Sequence, residues 1–469
     1  MIKEKPKQTL AVAFFTHSLS LLGRVGYNIL IFREFSLEEV GIYGFIVSLA
    51  IFAGFALDIG LTPTLIRGFS QKSLSFVQGL VGSLAFRIPM LLLILCGWVV
   101  TSRFSGRASL DWATSLPLLL AILAQFLIAL RTVPTSWLRA RDRQNTANFL
   151  DVLQPAGYLA IGLMLLRFRA LDLLHWFIGI VLMEAAVTVL TFSVINLWRF
   201  LPSLREMFSK AHLLESMAAL WKPSLIFTLI AFWALIQGRL DWIMLYSLGS
   251  KTELALYSLA NRVFEIFDDG FSVIIATTFP WVCKLLAGRE GNPKFVLGFK
   301  GLAFSAVILA VLAALTMPWL LTLIWGDKFA QADHLIFLIM CVACLGPFNT
   351  IMNYLLIASG KEKYLLVATT VPALIQIAAN LILIPHLGAL GATINMVLLL
   401  LTSFILLVFF SARFKLAKFI GFPQIVLFYG IFLTSLLVFR YWFAQHLLNI
   451  TVFISAFTIF GFFFLFSRE

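Results

Sequence analysis

The chain has 469 residues, of which 61% are hydrophobic and only 12% charged, about half the charge of an ordinary soluble domain, so a soluble globular fold has nowhere to put its apolar surface. A net charge of +13 would suit a nucleic-acid binder, but the basic residues are scattered through short loops between apolar runs and form no groove-sized cluster. What is left is an all-α polytopic membrane protein whose basic residues set its orientation.

Apolar segments of about 20 residues, each enough to cross a hydrocarbon core of about 30 Å, begin near residues 11, 40, 76, 113, 147, 173, 223, 252, 297, 332, 364, 388, 423 and 447. This predicts about fourteen transmembrane helices. Lys3, Lys5 and Lys7 precede the first of them, and no small-residue cleavage site follows at signal-peptide spacing, so the first segment is expected to stay as a span. With the N-terminus in the cytoplasm, Lys and Arg on that side outnumber those on the outer side about three to one. Both termini are then cytoplasmic. Within spans lie Arg24, Arg87, Arg131, Arg239, Arg262 and Arg440. An ionisable side chain inside the bilayer costs several kcal/mol unless it meets a partner or water, which makes each a functional hypothesis.

Span one carries His17 and Arg24. Arg24 sits about 15 Å from the nearest loop, too deep to snorkel comfortably. Asp58 and Arg131 lie near cytoplasmic span ends and Arg440 near an outer end, where end-anchoring is expected. Arg87 is mid-span, two residues before Pro89, and Asp151 and Glu184 are further inward candidates. After span six the longest polar interruption, 199–222, opens near Pro202, and Leu213, Leu214, Met217, Leu220 and Trp221 recur at helical spacing opposite charged positions. It reads as an interfacial cytoplasmic helix joining two halves. Span seven holds Arg239, as deep as Arg24, and the triplet Trp233, Gln237, Asp241 at i, i+4, i+8. That triplet suits a sugar path of stacking and hydroxyl recognition, or equally an aromatic packing stripe. On span eight, Asn261, Arg262, Glu265, Asp268 and Asp269 fill one stripe of the helix. One Arg against three acids leaves excess negative charge, which points to ion coupling or gating at Glu265, Asp268 and Asp269, or to a structural ion-pair network. Cys341 and Cys344 lack His or acidic partners at ligand spacing, so small-residue packing is expected there and no metal.

The two halves share a fragment. GRVGYNILIF at 23–32 matches GRLDWIMLYS at 238–247, and a tyrosine follows each at nearly the same distance, Tyr43 and Tyr257. Six spans per half is an even number, so the halves share orientation about an axis along the membrane normal, with Arg24 and Arg239 expected to face a shared central cavity. The expected division is an N-lobe of spans one to six at 1–198, the linker helix at 199–222, a C-lobe of spans seven to twelve at 223–411, and two further helices at 412–469. No P-loop, GxSxG or HExxH occurs, and no outer loop is long enough for a soluble catalytic domain.

Several segments together resemble the multidrug/oligosaccharidyl-lipid/polysaccharide exporter superfamily, and within it the Wzx-type polysaccharide flippases. They are GRVGYNILI, EEVGIYGF and LDIGLTPTLIR in the first half, and GRLDWIMLYSLGSKTELALYSLANRVFE, LIWGDKFAQADHLIFLIM, LIASGKEKY and above all NLILIPHLGALGATIN at 380–395 in the second. The resemblance implies a two-lobed, V-shaped bundle that moves an undecaprenyl-pyrophosphate-linked oligosaccharide across the bacterial plasma (inner) membrane by alternating access, with Arg24, Arg262 and Arg239 as cavity cations. It implies no enzymatic activity and no cofactor. Proton, sodium and membrane-potential coupling are all compatible with it. The implied partners are the lipid-linked oligosaccharide, membrane lipids and polysaccharide assembly proteins, with no nucleic acid. Two alternatives stand beside it: a drug/cation antiporter of the same superfamily using the acidic stripe as its ion site, and a membrane polysaccharide polymerase or glycosyltransferase, for which the outer loops are short.

Overall fold

The computed structural model describes residues 6–104, 112–141, 143–196, 210–288 and 293–414, and among them every regular element is helical. In chain order the α-helices are α1 (Pro6–Glu34), α2 (Leu37–Asp58), α3 (Leu61–Ser70), α4 (Phe76–Phe104), α5 (Trp112–Ala140), α6 (Gln144–Arg167), α7 (Leu173–Val194), α8 (Lys210–Leu248), α9 (Lys251–Gly288), α10 (Pro293–Trp325), α11 (Asp333–Ala343), α12 (Leu345–Ala358) and α13 (Glu362–Arg413). A short 3-10 turn, Asp327–Ala332, leads into α11. Among the described residues, 8 helices are long and apolar enough to cross a membrane. The all-α polytopic membrane fold is as expected, and α4 and α7 start at 76 and 173, where the hydropathy placed them. The two helices expected after residue 414, with Arg440, lie outside the described residues, as does the linker up to residue 209. Residues 210–222 are helical and continuous with the span that follows them in α8.

Contacts group the chain into two units, Met1–Ser247 and Leu248–Glu469. In the first, α1 packs along α6, and α5 packs along α2 and α7. Gly23 makes the α1–α6 approach close: a Cβ there would stand 3.0 Å from the Pro155 carbonyl carbon. The apolar run Leu37–Ser70 is split by two left-handed residues, Ile59 (φ 36) and Gly60 (φ 66), which end α2 and begin α3. Main-chain carbonyls released by such a break need other donors inside a membrane. Thr228 of α8 donates to the Ile59 carbonyl at 2.8 Å. Helix α8 reaches α2 mainly through side chains, with Tyr246 stacked on Phe45 at 3.8 Å and Phe232 beside Phe55 at 6.1 Å.

In the second unit, α11 packs on α9 and α10, and α12 packs on α9 and α13. The 52 residues of α13 are bent at Gly388 (φ 54, ψ -129), where a new span was expected. At 1.5 Å per residue each limb is about 37 Å long, enough for one crossing apiece. The bend folds the NLILIPHLGALGATIN segment on itself. The Asn395 amide then donates to the Gln376 carbonyl across the turn at 3.0 Å, and Gly391 comes against the Leu383 carbonyl. Gly388 is required twice over, because its backbone angles suit only glycine and a Cβ would overlap the Glu253 carboxylate. Gly388→Ala is expected to cost about 1–3 kcal/mol from the backbone alone, read as a lowered denaturation midpoint in detergent, while Gly360→Ala, with φ 66 but open space around it, should cost less.

The internal repeat extends further than the shared Gly-Arg fragment. Ser36 and Glu39 form a capping box at the start of α2, the Ser36 hydroxyl accepting from the Glu39 N–H at 3.3 Å and Glu39 Oε2 accepting from the Ser36 N–H at 2.8 Å. Ser250 and Glu253 repeat it at the start of α9, with both bonds at 3.1 Å. In each half the box stands between the arginine-bearing span and the next, and the buried tyrosine, Tyr43 or Tyr257, lies one helical turn beyond the glutamate. Each box satisfies main-chain donors that would otherwise be left open at a helix start, which sets where the span begins.

Candidate functional site

The arginines expected to form the cationic site occupy three helices and differ in how they are held. Arg24 is half-buried on α1, next to the small residue that lets α1 close on α6, and its main-chain carbonyl accepts from the Asn28 amide at 2.8 Å. Arg239 is half-buried on α8, its guanidinium 5.0 Å from the centre of the Trp242 ring, a cation–π contact that orients the charge. The Gly-Arg fragments therefore share sequence but not packing: Gly23 abuts α6, whereas a Cβ at Gly238 would meet nothing within 4 Å.

Arg262 on α9 pairs with Glu265 one turn on, NH1 to Oε2 at 2.6 Å, with 15% and 26% of the two side chains exposed. The Asn261 amide donates to the other oxygen of Glu265 at 3.2 Å. Asp268 points at the start of α12, its Oδ1 filling the space that a Cβ on Gly346 would take. In the acidic stripe, then, Glu265 is ion-paired with Arg262 on its own helix and Asp268 is directed at α12. Of the triplet on α8, Trp233 and Gln237 are half-buried, and Asp241 is buried, accepting from the Trp242 N–H at 3.0 Å.

The first unit contains a polar network that residue spacing did not reveal. Arg131 NH1 lies 3.4 Å from Glu184 Oε2, and its NH2 donates to Gln154 Oε1 at 2.6 Å. Gln154 Nε2 donates to the Tyr158 hydroxyl at 3.2 Å, and that hydroxyl donates to Glu184 Oε1 at 2.5 Å. The four side chains close a ring over α5, α6 and α7, with one positive and one negative charge. Glu184 is fully buried and Arg131 is 5% exposed. Tyr158 also stands edge-on to Tyr27 at 5.6 Å. Arg131 and Glu184 stood out in the sequence as charges within apolar segments, whereas Gln154 and Tyr158, four apart on α6, carried no such signal.

Arg87 forms a second centre. Fully buried on α4, it donates Nε to the Leu57 carbonyl at 3.2 Å and NH2 to Asp58 Oδ1 at 3.1 Å and Thr132 Oγ1 at 2.8 Å. It thereby fills a carbonyl near the α2–α3 break and the acid beside it. Asp58 does stand at the end of α2, where it also pairs with Arg87 of α4, whereas the expectation that Arg131 anchors a span end is corrected: it lies within α5 and is held by Gln154 and Glu184 of other helices, which intrahelical spacing cannot show. Asp151 is paired with Arg139 at 2.6 Å, with 40% and 35% of their side chains exposed. Cys341 and Cys344 are buried, and among the described residues no group of three or more His, Cys, Asp or Glu is placed to hold a metal ion.

No protein-family model matches the sequence, and no curated protein matches it. Solved structures do. The chain is similar to a lipid II flippase, MurJ, in an inward closed conformation, at 14% identity and a TM-score of 0.66 over 97% of each chain. It is also similar to a multidrug resistance MATE family transporter of the MOP superfamily in an inward-facing conformation, at 14% identity and a TM-score of 0.67, covering 88% of this chain and 99% of that one. A MATE structure in complex with MaD3S matches at 15% identity and a TM-score of 0.62, covering 89% and 98%. The chain is a multi-pass membrane protein with the helical fold that this lipid flippase and these multidrug transporters share.

Proposed function

We propose that the chain is a Wzx-type flippase that carries an undecaprenyl-pyrophosphate-linked oligosaccharide from the cytoplasmic to the outer leaflet of the bacterial inner membrane by alternating access. The observation that carries the reading is the set Arg24, Arg239 and Arg262, permanent cations on three helices of a fold shared with a lipid flippase. Pyrophosphate is a dense anion that needs several planar guanidinium donors, whereas the polyprenyl tail can stay in lipid. Trp233 and Gln237 offer the glycan an aromatic face and an amide. The lobes in this reading are 1–198 and 223–411, joined by 199–222, with 412–469 appended and both termini cytoplasmic.

A second reading, a drug/cation antiporter, is favoured by the equally good match to MATE transporters and by Glu265, Asp268 and Asp269 as a cation site. Proteoliposomes separate the two. The flippase reading expects time-dependent exposure of a lipid-linked oligosaccharide to an external glycosidase, and no gradient-driven efflux of a cationic dye. Dye efflux with no glycan exposure would overturn it. In cells, deletion should leave lipid-linked intermediates on the cytoplasmic side; single unpolymerised repeats on the outer face would instead indicate a polymerase.

A further inference from the structure

The Arg262 guanidinium holds a carboxylate oxygen, that of Glu265, at 2.6 Å. A guanidinium–carboxylate contact is the same kind of interaction that a phosphate oxygen would make, with an anionic oxygen accepting a charge-assisted N–H bond. Glu265 is moreover held ready for the position, because Asn261 grips its second oxygen at 3.2 Å. All three residues lie within five positions of α9, so these contacts are made within one helix. The pair is only partly buried.

We propose that Glu265 is a positioning residue that occupies Arg262 when no cargo is present and is displaced by an oxygen of the anionic headgroup. The inference rests on the flippase reading, in which Arg262 meets pyrophosphate. Its physical advantage is that a bare guanidinium never has to stand unpaired within the membrane: binding exchanges one anion for another, and the desolvation cost of an unpaired charge is avoided. The displaced carboxylate is pushed toward Asp268 and Asp269, one turn along the same helix. Like charges at that spacing repel, so Glu265 is driven back to Arg262. Return of Glu265 then favours release of the cargo, and binding stays weak enough for turnover.

The test uses the full chain in detergent, titrated with inorganic pyrophosphate and with a short-chain prenyl pyrophosphate, and the same variants in a proteoliposome translocation assay. Glu265→Gln removes the competing anion and should bind both probes about tenfold more tightly, while lowering the translocation rate because release slows. Glu265→Asp, whose shorter side chain withdraws from Arg262, should also tighten binding, and it carries the comparison if Glu265→Gln does not fold. In an Arg262→Ala background neither change should alter affinity. A merely structural Glu265 would lower yield or thermal stability without this opposed change in affinity and rate. If Glu265→Gln binds no more tightly while wild-type binding depends on Arg262, the displacement idea is overturned and the flippase reading stands. Absence of any pyrophosphate binding by the wild-type chain would overturn both.

Discussion

Replacing Arg24, Arg239 and Arg262 together by alanine should leave the chain in the membrane in normal amount and reduce translocation of lipid-linked oligosaccharide to the background of empty vesicles. The size of the effect follows from what the cargo must lose. A pyrophosphate drawn away from headgroup water needs its charge met by fixed donors, and each charge-assisted hydrogen bond contributes about 1.5–3 kcal/mol, so three arginines supply the greater part of any binding. Folding should survive because none of the three is fully buried: Arg24 and Arg239 are half-buried and Arg262 is 15% exposed. Individual Arg→Lys changes should keep the charge but lose the planar fork, and so lower translocation less than alanine does. Unchanged flipping by the triple variant, at equal abundance, would show that the cationic set does not carry the cargo.

Glu184→Ala should be among the most destabilising single changes in the chain, by about 3–5 kcal/mol, measured as loss of folded protein on heating or chemical denaturation in detergent. The change strands the Arg131 guanidinium, 5% exposed on α5, and removes the acceptor of the Tyr158 hydroxyl. Glu184→Gln, which keeps an acceptor for both neighbours but not the charge, should cost less. The double variant Arg131→Met/Glu184→Met should also cost less than Glu184→Ala, because removing both charges leaves neither one bare in low dielectric. If the double variant is worse than the single, the ring is held by its hydrogen bonds rather than by its ion pair. The ring ties α5, α6 and α7 together through side chains.

These two sets of buried charges do different work, and their neighbours distinguish them. Arg131 and Glu184 balance each other, and Arg87 is matched by Asp58 and by the carbonyl of Leu57 beside a helix break. Each lies among several helices of one unit and serves to join them. The Arg262 pair comes from a single turn of a single helix and is partly exposed.

Local features of this protein were legible in the sequence because their causes are local. The starts of α4, α7 and α9 follow from runs of apolar residues and from the polar residues that interrupt them. The bend at Gly388 coincides with the start of an expected span because a glycine flanked by apolar segments is where a membrane helix can turn. The stripe Asn261, Arg262, Glu265, Asp268 and Asp269 was evident because helix periodicity places those positions on one side. Tertiary structure alone decided which charges meet. Arg87 finds Thr132 and Arg131 finds Glu184 across 45 and 53 positions of chain, and no intrahelical spacing relates them. The same holds for Gly23 and Gly238, each followed by an arginine, of which the first is pressed against another helix while a Cβ on the second would meet nothing within 4 Å. Hydropathy and caps act over one or two turns and so can be read along the chain; the pairing of buried charges depends on which helices pack together, a property of the assembled bundle.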